Sequence, residues 1–287
     1  MKITSETQMS GIIGYPLKKT LSPAMQNAAF QAVDLNWRYI SIAVRPDNLG
    51  TAIKRLKRLD FKGINVTMPH KQAVLKYIDE VDDFANLAGA VNTIRFDKDK
   101  LIGYNTDGEG FLASLRREGG FEPKGKKALI LGAGGAARSI ALILAINNIG
   151  EISIVNRDLA KARKLVDTIK KKYYEVEFNS LSFNEDLPKI IDSTDLVVNC
   201  TPVGWEGGLV VDPDLFHSGH LVADLVYVPE DTELLVEAKK RGAKTLPGKL
   251  MLLYQGAASM EIWTKVKAPV EAMRKALDEE LSIYEER

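Results

Sequence analysis

Lys71 and Asp107 are the first candidates for proton chemistry in this chain, an amine and a carboxylate that each stand where an expected turn meets an expected helix. The run Gly63-Ile64-Asn65-Val66-Thr67-Met68-Pro69-His70-Lys71 ends a buried strand and opens a helix. That places Thr67 and Lys71 at a carboxyl edge, where open sheets bind ligands. A lysine acts as a base when desolvation or a neighbouring cation strips its proton, and as a donor when a carboxylate holds it charged. The plain alternative is a solvated helix start. Asn92 lies in Ala90-Val91-Asn92-Thr93 and Asp107 in Gly103-Tyr104-Asn105-Thr106-Asp107-Gly108, among small turn-forming residues. Each also has a structural reading: Asp107 caps a helix over 108–117, and Asn92 satisfies turn backbone. Asn199-Cys200-Thr201-Pro202-Val203-Gly204 and Asp224-Leu225-Val226-Tyr227-Val228-Pro229 follow buried strands as ligand loops do. Gln255 sits among apolar neighbours as ligand or as core amide, and a buried amide requires partners. Cys200 reads as a small buried hydrophobe, since no base motif accompanies it. His70, His217 and His220 lack metal-ligand spacing, and no metal is assigned.

A second constellation is built from backbone. Lys126 to Leu131 leads into Gly132-Ala133-Gly134-Gly135-Ala136-Ala137 and then an apolar helix, the order strand, G-x-G-x-x-A, helix. Gly132 permits the tight turn, Gly134 lets the backbone approach a diphosphate, and Ala137 lets the helix pack closely, with free N–H donors at its start. The following strand ends at Asn156-Arg157, 24 residues after Gly132, where an NAD site carries a ribose-reading carboxylate. Asn repels no 2′-phosphate, and Arg157 with Lys161 can pair with one, so NADP is the expected cofactor and NAD the alternative. Asp158 speaks for NAD if its carboxylate is free, and for nothing if it caps the helix over 159–171.

These residues need elements to hold them. Short β-branched runs alternate with amphipathic segments through nearly the whole chain, the pattern of an α/β fold with parallel sheets covered by helices. The first half shows strands near 39–44, 63–67 and 90–96. It also shows a helix starting at Ser22, which doubles as N-cap, with Pro23 in its first turn. Another follows Pro46, with Leu49, Ile53 and Leu56 on one side. The second half shows strands at 128–131, 152–155, 196–199 and 221–225, each apolar enough to be buried on both faces. Two helices close the chain from Gly248 onward. The charged and Gly/Pro-rich stretch 116–125 marks a junction. At 287 residues the chain is long enough for about two domains. With 39 Lys and Arg against 38 Asp and Glu, the net charge of +1 leaves no surplus for a polyphosphate backbone, so nucleic acid is not an expected partner. No stretch reaches the ~20 apolar residues of a membrane span. The single Cys200 and a start without a signal-peptide core lead to the expectation of a cytoplasmic protein.

Taken in order, eight pieces resemble the shikimate dehydrogenase family, from about Gly11 to Trp263. They are Gly14-Tyr15-Pro16 with Leu21-Ser22-Pro23, Asn65 to Lys71, Gly89 to Thr93, Gly103 to Asp107, the glycine turn, Asn156-Arg157, Asn199 to Gly204, and Gly248 to Gln255. The resemblance implies two α/β domains flanking a cleft, the second a doubly wound Rossmann-type parallel sheet. Residues 1–106 and 249–287 would form the catalytic domain and 107–248 the dinucleotide-binding domain. It implies reversible NADP-dependent reduction of 3-dehydroshikimate to shikimate in aromatic amino-acid biosynthesis, with Lys71 and Asp107 as the catalytic pair. Thr67, Asn92 and Gln255 would bind ring hydroxyls; Thr20 and Ser22 would hold the substrate carboxylate, with Tyr227 nearby. Gly132, Ala133, Gly134, Gly135, Ala136, Asn156, Arg157, Lys161, Thr201 and Gly248 would hold the cofactor. Besides the small-molecule substrate, a second copy of the chain, as a homodimer, is the candidate partner. Lys19-Thr20 stands where the family usually has His-Ser, and Trp205 and Asp158 replace a frequent Met and Thr. A quinate/shikimate dehydrogenase preferring NAD therefore stays open, as does a catalytically silent nucleotide-binding regulator.

Overall fold

The computed structural model describes residues 3–17, 20–98, 100–184 and 187–285, so Lys19 lies outside the described residues. The chain divides into two compact units, one formed by residues 1–110 with 252–287 and the other by 111–251.

The first unit contains strands β1 (Gln8–Gly14), β2 (Trp37–Ala43), β3 (Phe61–Val66), β4 (Glu80–Val81), β5 (Thr93–Asp97) and β6 (Lys100–Tyr104). Its helices are α1 (Ser22–Ala32), α2 (Leu49–Arg58), α3 (His70–Ala73), α4 (Asp83–Ala88) and the start of α5 (Asp107–Arg117). The sheet order is β2-β1-β3-β5-β6-β4. It is mixed rather than wholly parallel: β1 runs parallel to β2 and β3, while β5 runs antiparallel to both β3 and β6. A short connection lets β5 and β6 form a hairpin, which parallel neighbours cannot do. The expected apolar face of α2 is buried, with Leu49, Ile53 and Leu56 joining Ile13, Ile64, Val66 and Ile94 in one core.

Two expectations are corrected here. Ser22 opens α1 but does not cap it. Leu21 takes the cap position with helical backbone angles (φ −89°, ψ −8°), so Ser22 is already inside the helix and the cap carries no side-chain hydrogen bond. Gly103 and Tyr104, read as turn-forming, end strand β6.

The second unit holds β7 (Lys127–Leu131), β8 (Glu151–Val155), β9 (Glu177–Leu181), β10 (Leu196–Asn199), β11 (Leu221–Asp224) and β12 (Lys244–Leu246). Helices α6 (Gly135–Ile146), α7 (Leu159–Lys170), α8 (Leu187–Asp192) and α9 (Glu233–Lys240) connect them; α10 (Gly248–Thr264) begins here, and α11 (Val270–Glu285) closes the chain in the first unit. All pairings are parallel, in the order β12-β11-β10-β7-β8-β9. This is the doubly wound dinucleotide-binding order, whose ligand crevice opens where the winding reverses, between β7 and β10.

Candidate active site

In the first unit the chain leaves β3 through Thr67, Met68 and Pro69 into α3. His70 is buried and anchors that turn, its Nε2 2.7 Å from the Val44 carbonyl oxygen. Lys71 comes next, its carbonyl accepting the Val91 N–H at 2.8 Å, which ties the helix start to the segment that carries Asn92 into β5. The first residue of α5 is Asp107, its own N–H donated to Asn105 Oδ1 at 3.1 Å. Lys71 Nζ donates to Asp107 Oδ2 at 2.6 Å, and Asn92 Nδ2 donates to Asp107 Oδ1 at 2.8 Å. Both oxygens of a carboxylate only 4% exposed are thereby engaged, which offsets the cost of burying it. The orientation of the Asn92 amide is forced, because its Oδ1 accepts the Thr106 N–H at 2.8 Å and its NH₂ must then face Asp107. Asp107 is therefore not a cap: its carboxylate is spent on Lys71 and Asn92. Asn92 does both things proposed for it, holding turn backbone with one atom and the carboxylate with the other.

Behind the pair lies a buried polar network. Thr93 Oγ1 is 2.8 Å from Ser259 Oγ, Asn65 Nδ2 donates to Ser259 Oγ at 2.9 Å, and Tyr39 OH donates to Asn65 Oδ1 at 2.7 Å. Gln255 joins through its Oε1, 3.4 Å from Asn92 Nδ2, while its Nε2 donates to the Leu252 carbonyl at 2.8 Å. The loop after β1 adjoins the loop after β3, the Tyr15 N–H donating to the Met68 carbonyl at 3.0 Å. Thr20, at the end of the loop after β1, has a buried Oγ1 with no hydrogen-bond partner among the described residues. Ser22 is also buried, and Thr67 is half-buried. Hydrogen bonds thus join Lys71, Asp107, Asn92 and Gln255, while Thr20 and Thr67 stand on the flanking loops and Ser22 opens α1.

Tyr227, Thr201 and Gly248 belong to the second unit. Gly132 has φ +109°, and a Cβ there would meet Thr201 Cγ2 and the Cys200 carbonyl at 3.2–3.3 Å, so the turn after β7 lies against the loop after β10. Above Gly134, by contrast, a Cβ would meet nothing within 4 Å. This open ground at the start of α6, where Gly134 is the cap with no side-chain bond, fits the diphosphate of a dinucleotide. The loop after β10 is fixed by Asn199, whose Oδ1 accepts from Thr201 Oγ1 at 2.7 Å and whose Nδ2 donates to Asp224 Oδ1 at 2.9 Å. Asp224 also accepts from Thr232 Oγ1 at 2.8 Å and the Val226 N–H at 3.0 Å. Its donors are all neutral, and burial pushes its carboxyl up to about 6. Gly248 packs beneath that strand end, a Cβ there falling 2.7 Å from the Asp224 carbonyl oxygen. Tyr227 makes an edge-on contact with Trp205, ring centroids 4.8 Å apart. At the end of β8, Asn156 Nδ2 donates to the Asp158 carbonyl at 2.9 Å. The Asp158 carboxylate accepts the Ala160 N–H at 3.1 Å as the cap of α7 and lies 3.7 Å from Lys161 Nζ. Asp158 is thus occupied, and Arg157 is exposed beside it.

Sequence reasoning did not single out Thr106, Ser259 or Arg138. Ser259 carried a faint signal, standing four residues after Gln255 and so on the same helix face.

Residues 12–94 match the family profile described as Shikimate dehydrogenase substrate binding domain, 115–203 that of Shikimate / quinate 5-dehydrogenase, and 250–277 that of Shikimate 5'-dehydrogenase C-terminal domain. The chain is 44% identical over 289 residues to shikimate dehydrogenase (NADP(+)) of Desulforamulus reducens, with 98% of each chain covered. It is also 44% identical over 286 residues to that of Methanopyrus kandleri, again with 98% of each covered. A crystal structure of a shikimate dehydrogenase in complex with NADP+ superposes with a TM-score of 0.90 at 41% identity, covering 98% of both chains. On the order of its motifs, the winding of its second sheet and this near full-length similarity, the chain belongs to the shikimate dehydrogenase family.

Proposed function

We propose that this chain catalyses the reversible NADP-dependent reduction of 3-dehydroshikimate to shikimate, in the cytoplasm, as a step of aromatic amino-acid biosynthesis. The observation that carries the reading is the Lys71–Asp107 pair at 2.6 Å, its carboxylate fixed from the other side by Asn92. In this reading the first unit holds the substrate and the second the dinucleotide. Thr20 and Ser22 hold the substrate carboxylate. The unpartnered Thr20 hydroxyl supports that role, because an unmade buried hydrogen bond costs about 1–3 kcal/mol and an incoming carboxylate removes the cost. Thr67, Asn92 and Gln255 bind ring hydroxyls, and Tyr227 of the second unit is assigned to the substrate on its motif alone.

When bound, the cofactor supplies or accepts the hydride at the ring carbon. The side chains handle the proton. The Lys71 ammonium donates to the carbonyl oxygen as negative charge grows on it and then gives up the proton, and in the oxidation Lys71 takes the proton from the hydroxyl. Asp107 keeps the ammonium aimed and holds the opposite charge throughout. The residues at the end of β8 favour NADP over NAD: Asn156 replaces the ribose-reading carboxylate, Asp158 is spent on its cap, and the Arg157 cation remains exposed.

The test compares shikimate and quinate with NADP and NAD, ranked by kcat/KM from the appearance of reduced nicotinamide. Shikimate with NADP is expected to rank first. Quinate with NAD ranking first transfers the chain to quinate dehydrogenation, and dinucleotide binding without turnover of any pair leaves a silent regulator.

A further inference from the structure

Arg138 is the fourth residue of α6, and its N–H is the first of that helix to point back along the chain, donating to the Gly134 carbonyl at 3.1 Å. A cation is poorly placed there for two separate reasons. The amino end of a helix already carries positive charge from its aligned peptide dipoles, so a guanidinium in the first turn is repelled. The side chain is also half-buried, and its Nε is fully buried with no hydrogen-bond partner among the described residues. Burial pulls the guanidinium below its ordinary value, with no carboxylate among the described residues opposing the effect. Other arginines show what a compensated guanidinium looks like here: Arg116 pairs with Glu122 at 2.7 Å and Arg241 with Glu237 at 2.7 Å, both at the surface.

A guanidinium has five donors and no acceptor, so only an acceptor, preferably anionic, relieves both penalties. Side chains of a helix lean toward its amino end, which sets Arg138 over the first turn, beside the N–H groups that start at Gly134. We propose that Arg138 is a cofactor-binding residue whose guanidinium pairs with the diphosphate of the dinucleotide held at the start of α6. The assignment rests on the dinucleotide reading of the second unit given above. It separates two phosphate tasks by place: Arg138 takes the diphosphate that every nicotinamide dinucleotide carries, and Arg157, at the end of β8, takes the 2′-phosphate that only NADP has.

The experiment is calorimetric titration of the full chain with NADPH and with adenosine 2′-monophosphate, which carries the 2′-phosphate and no diphosphate. Wild type, Arg138→Met, Arg138→Lys and Arg157→Ala are compared, with melting temperatures of each protein alone. Arg138→Met is expected to weaken NADPH by about ten- to a hundredfold, the worth of a hydrogen bond to a charged group, and to leave adenosine 2′-monophosphate unchanged. Arg138→Lys recovers part of the loss. Arg157→Ala weakens both ligands. Melting of the ligand-free Arg138→Met protein stays level or rises, because an uncompensated cation is gone. Unaltered NADPH affinity in Arg138→Met overturns the assignment, as does a parallel loss of both ligands or a lowered ligand-free melting temperature. If Arg138→Met does not fold, Arg138→Lys decides alone: NADPH affinity weakened with the monophosphate unchanged supports the role, and wild-type affinity for both overturns it. Wild type that binds neither ligand removes the dinucleotide reading itself.

Discussion

Around Lys71, Asp107 and Asn92 the first unit closes a polar network upon itself, with the Thr20 hydroxyl left open on the loop after β1, whereas around the glycine turn after β7 the second unit leaves its ground open. Asp107 has a cation on one oxygen and an amide on the other, and the amide is locked by a backbone N–H. Around the glycine turn, by contrast, Gly134 faces empty space and the Arg138 Nε has no partner among the described residues. The difference matches the work proposed for each place. Proton transfer is fastest when the dipoles around the reacting oxygen are already set, since reorganising them during the reaction raises the barrier. A site for a multiply charged cofactor gains affinity by leaving its donors unsatisfied until the ligand brings the charge.

The comparison breaks most visibly if the two sites are not separable. Lys71→Ala is expected to lower kcat by about a thousandfold, the scale of a positioned acid–base group, while NADPH affinity stays at the wild-type value. Steady-state rates and calorimetry on the same preparation check it, and equal losses in turnover and NADPH binding would merge the two sites into one. A smaller effect sharpens the contrast between two buried carboxylates. Asp107 has an ammonium partner; among the described residues Asp224 has the Asn199 amide, the Thr232 hydroxyl and the Val226 N–H, all neutral. The Asp224 carboxyl, raised from 3.8 to about 6, holds its proton more tightly folded than unfolded. Its contribution therefore favours the folded state below about pH 4 to no extent and penalises it fully above about pH 6. That is a loss of roughly 3 kcal/mol across the interval, an upper figure for this carboxyl alone. Urea titrations between pH 4 and pH 7 are expected to show this falling component in wild type and its absence in Asp224→Asn. Parallel pH profiles would mean that Asp224 titrates as an ordinary carboxylate.

What the sequence disclosed depended on how far apart the cooperating residues are. The glycine turn is contiguous, so strand, turn and helix could be read from a dozen residues, and the apolar face of α2 follows from helical spacing within one element. The Lys71–Asp107 contact spans 36 positions, and nothing in either local run dictates it; only the order of motifs pointed to a pair. Strand β1 escaped because Ser10, Gly11 and Gly14 dilute its apolar pattern. Yet the small residue is required: a Cβ on Gly11 would stand 2.5 Å from the Ile40 carbonyl oxygen of the neighbouring strand. Ser259 and Thr106 meet at 3.1 Å across 153 positions, two hydroxyls with no pattern of their own. Asp158 was ambiguous in sequence because capping and ribose binding use the same side chain, and the N–H of Ala160 resolves it as a cap.

Lys71 and Asp107 are proposed to act as one unit, and a double-mutant cycle on kcat measures that directly. Lys71→Met, Asp107→Asn and the double variant are assayed with saturating shikimate and NADP. If the carboxylate works by holding the ammonium, the double variant turns over at nearly the rate of Lys71→Met alone. Losses that multiply, with the double variant slower by the product of the two single effects, would show two independent groups and contradict the pair.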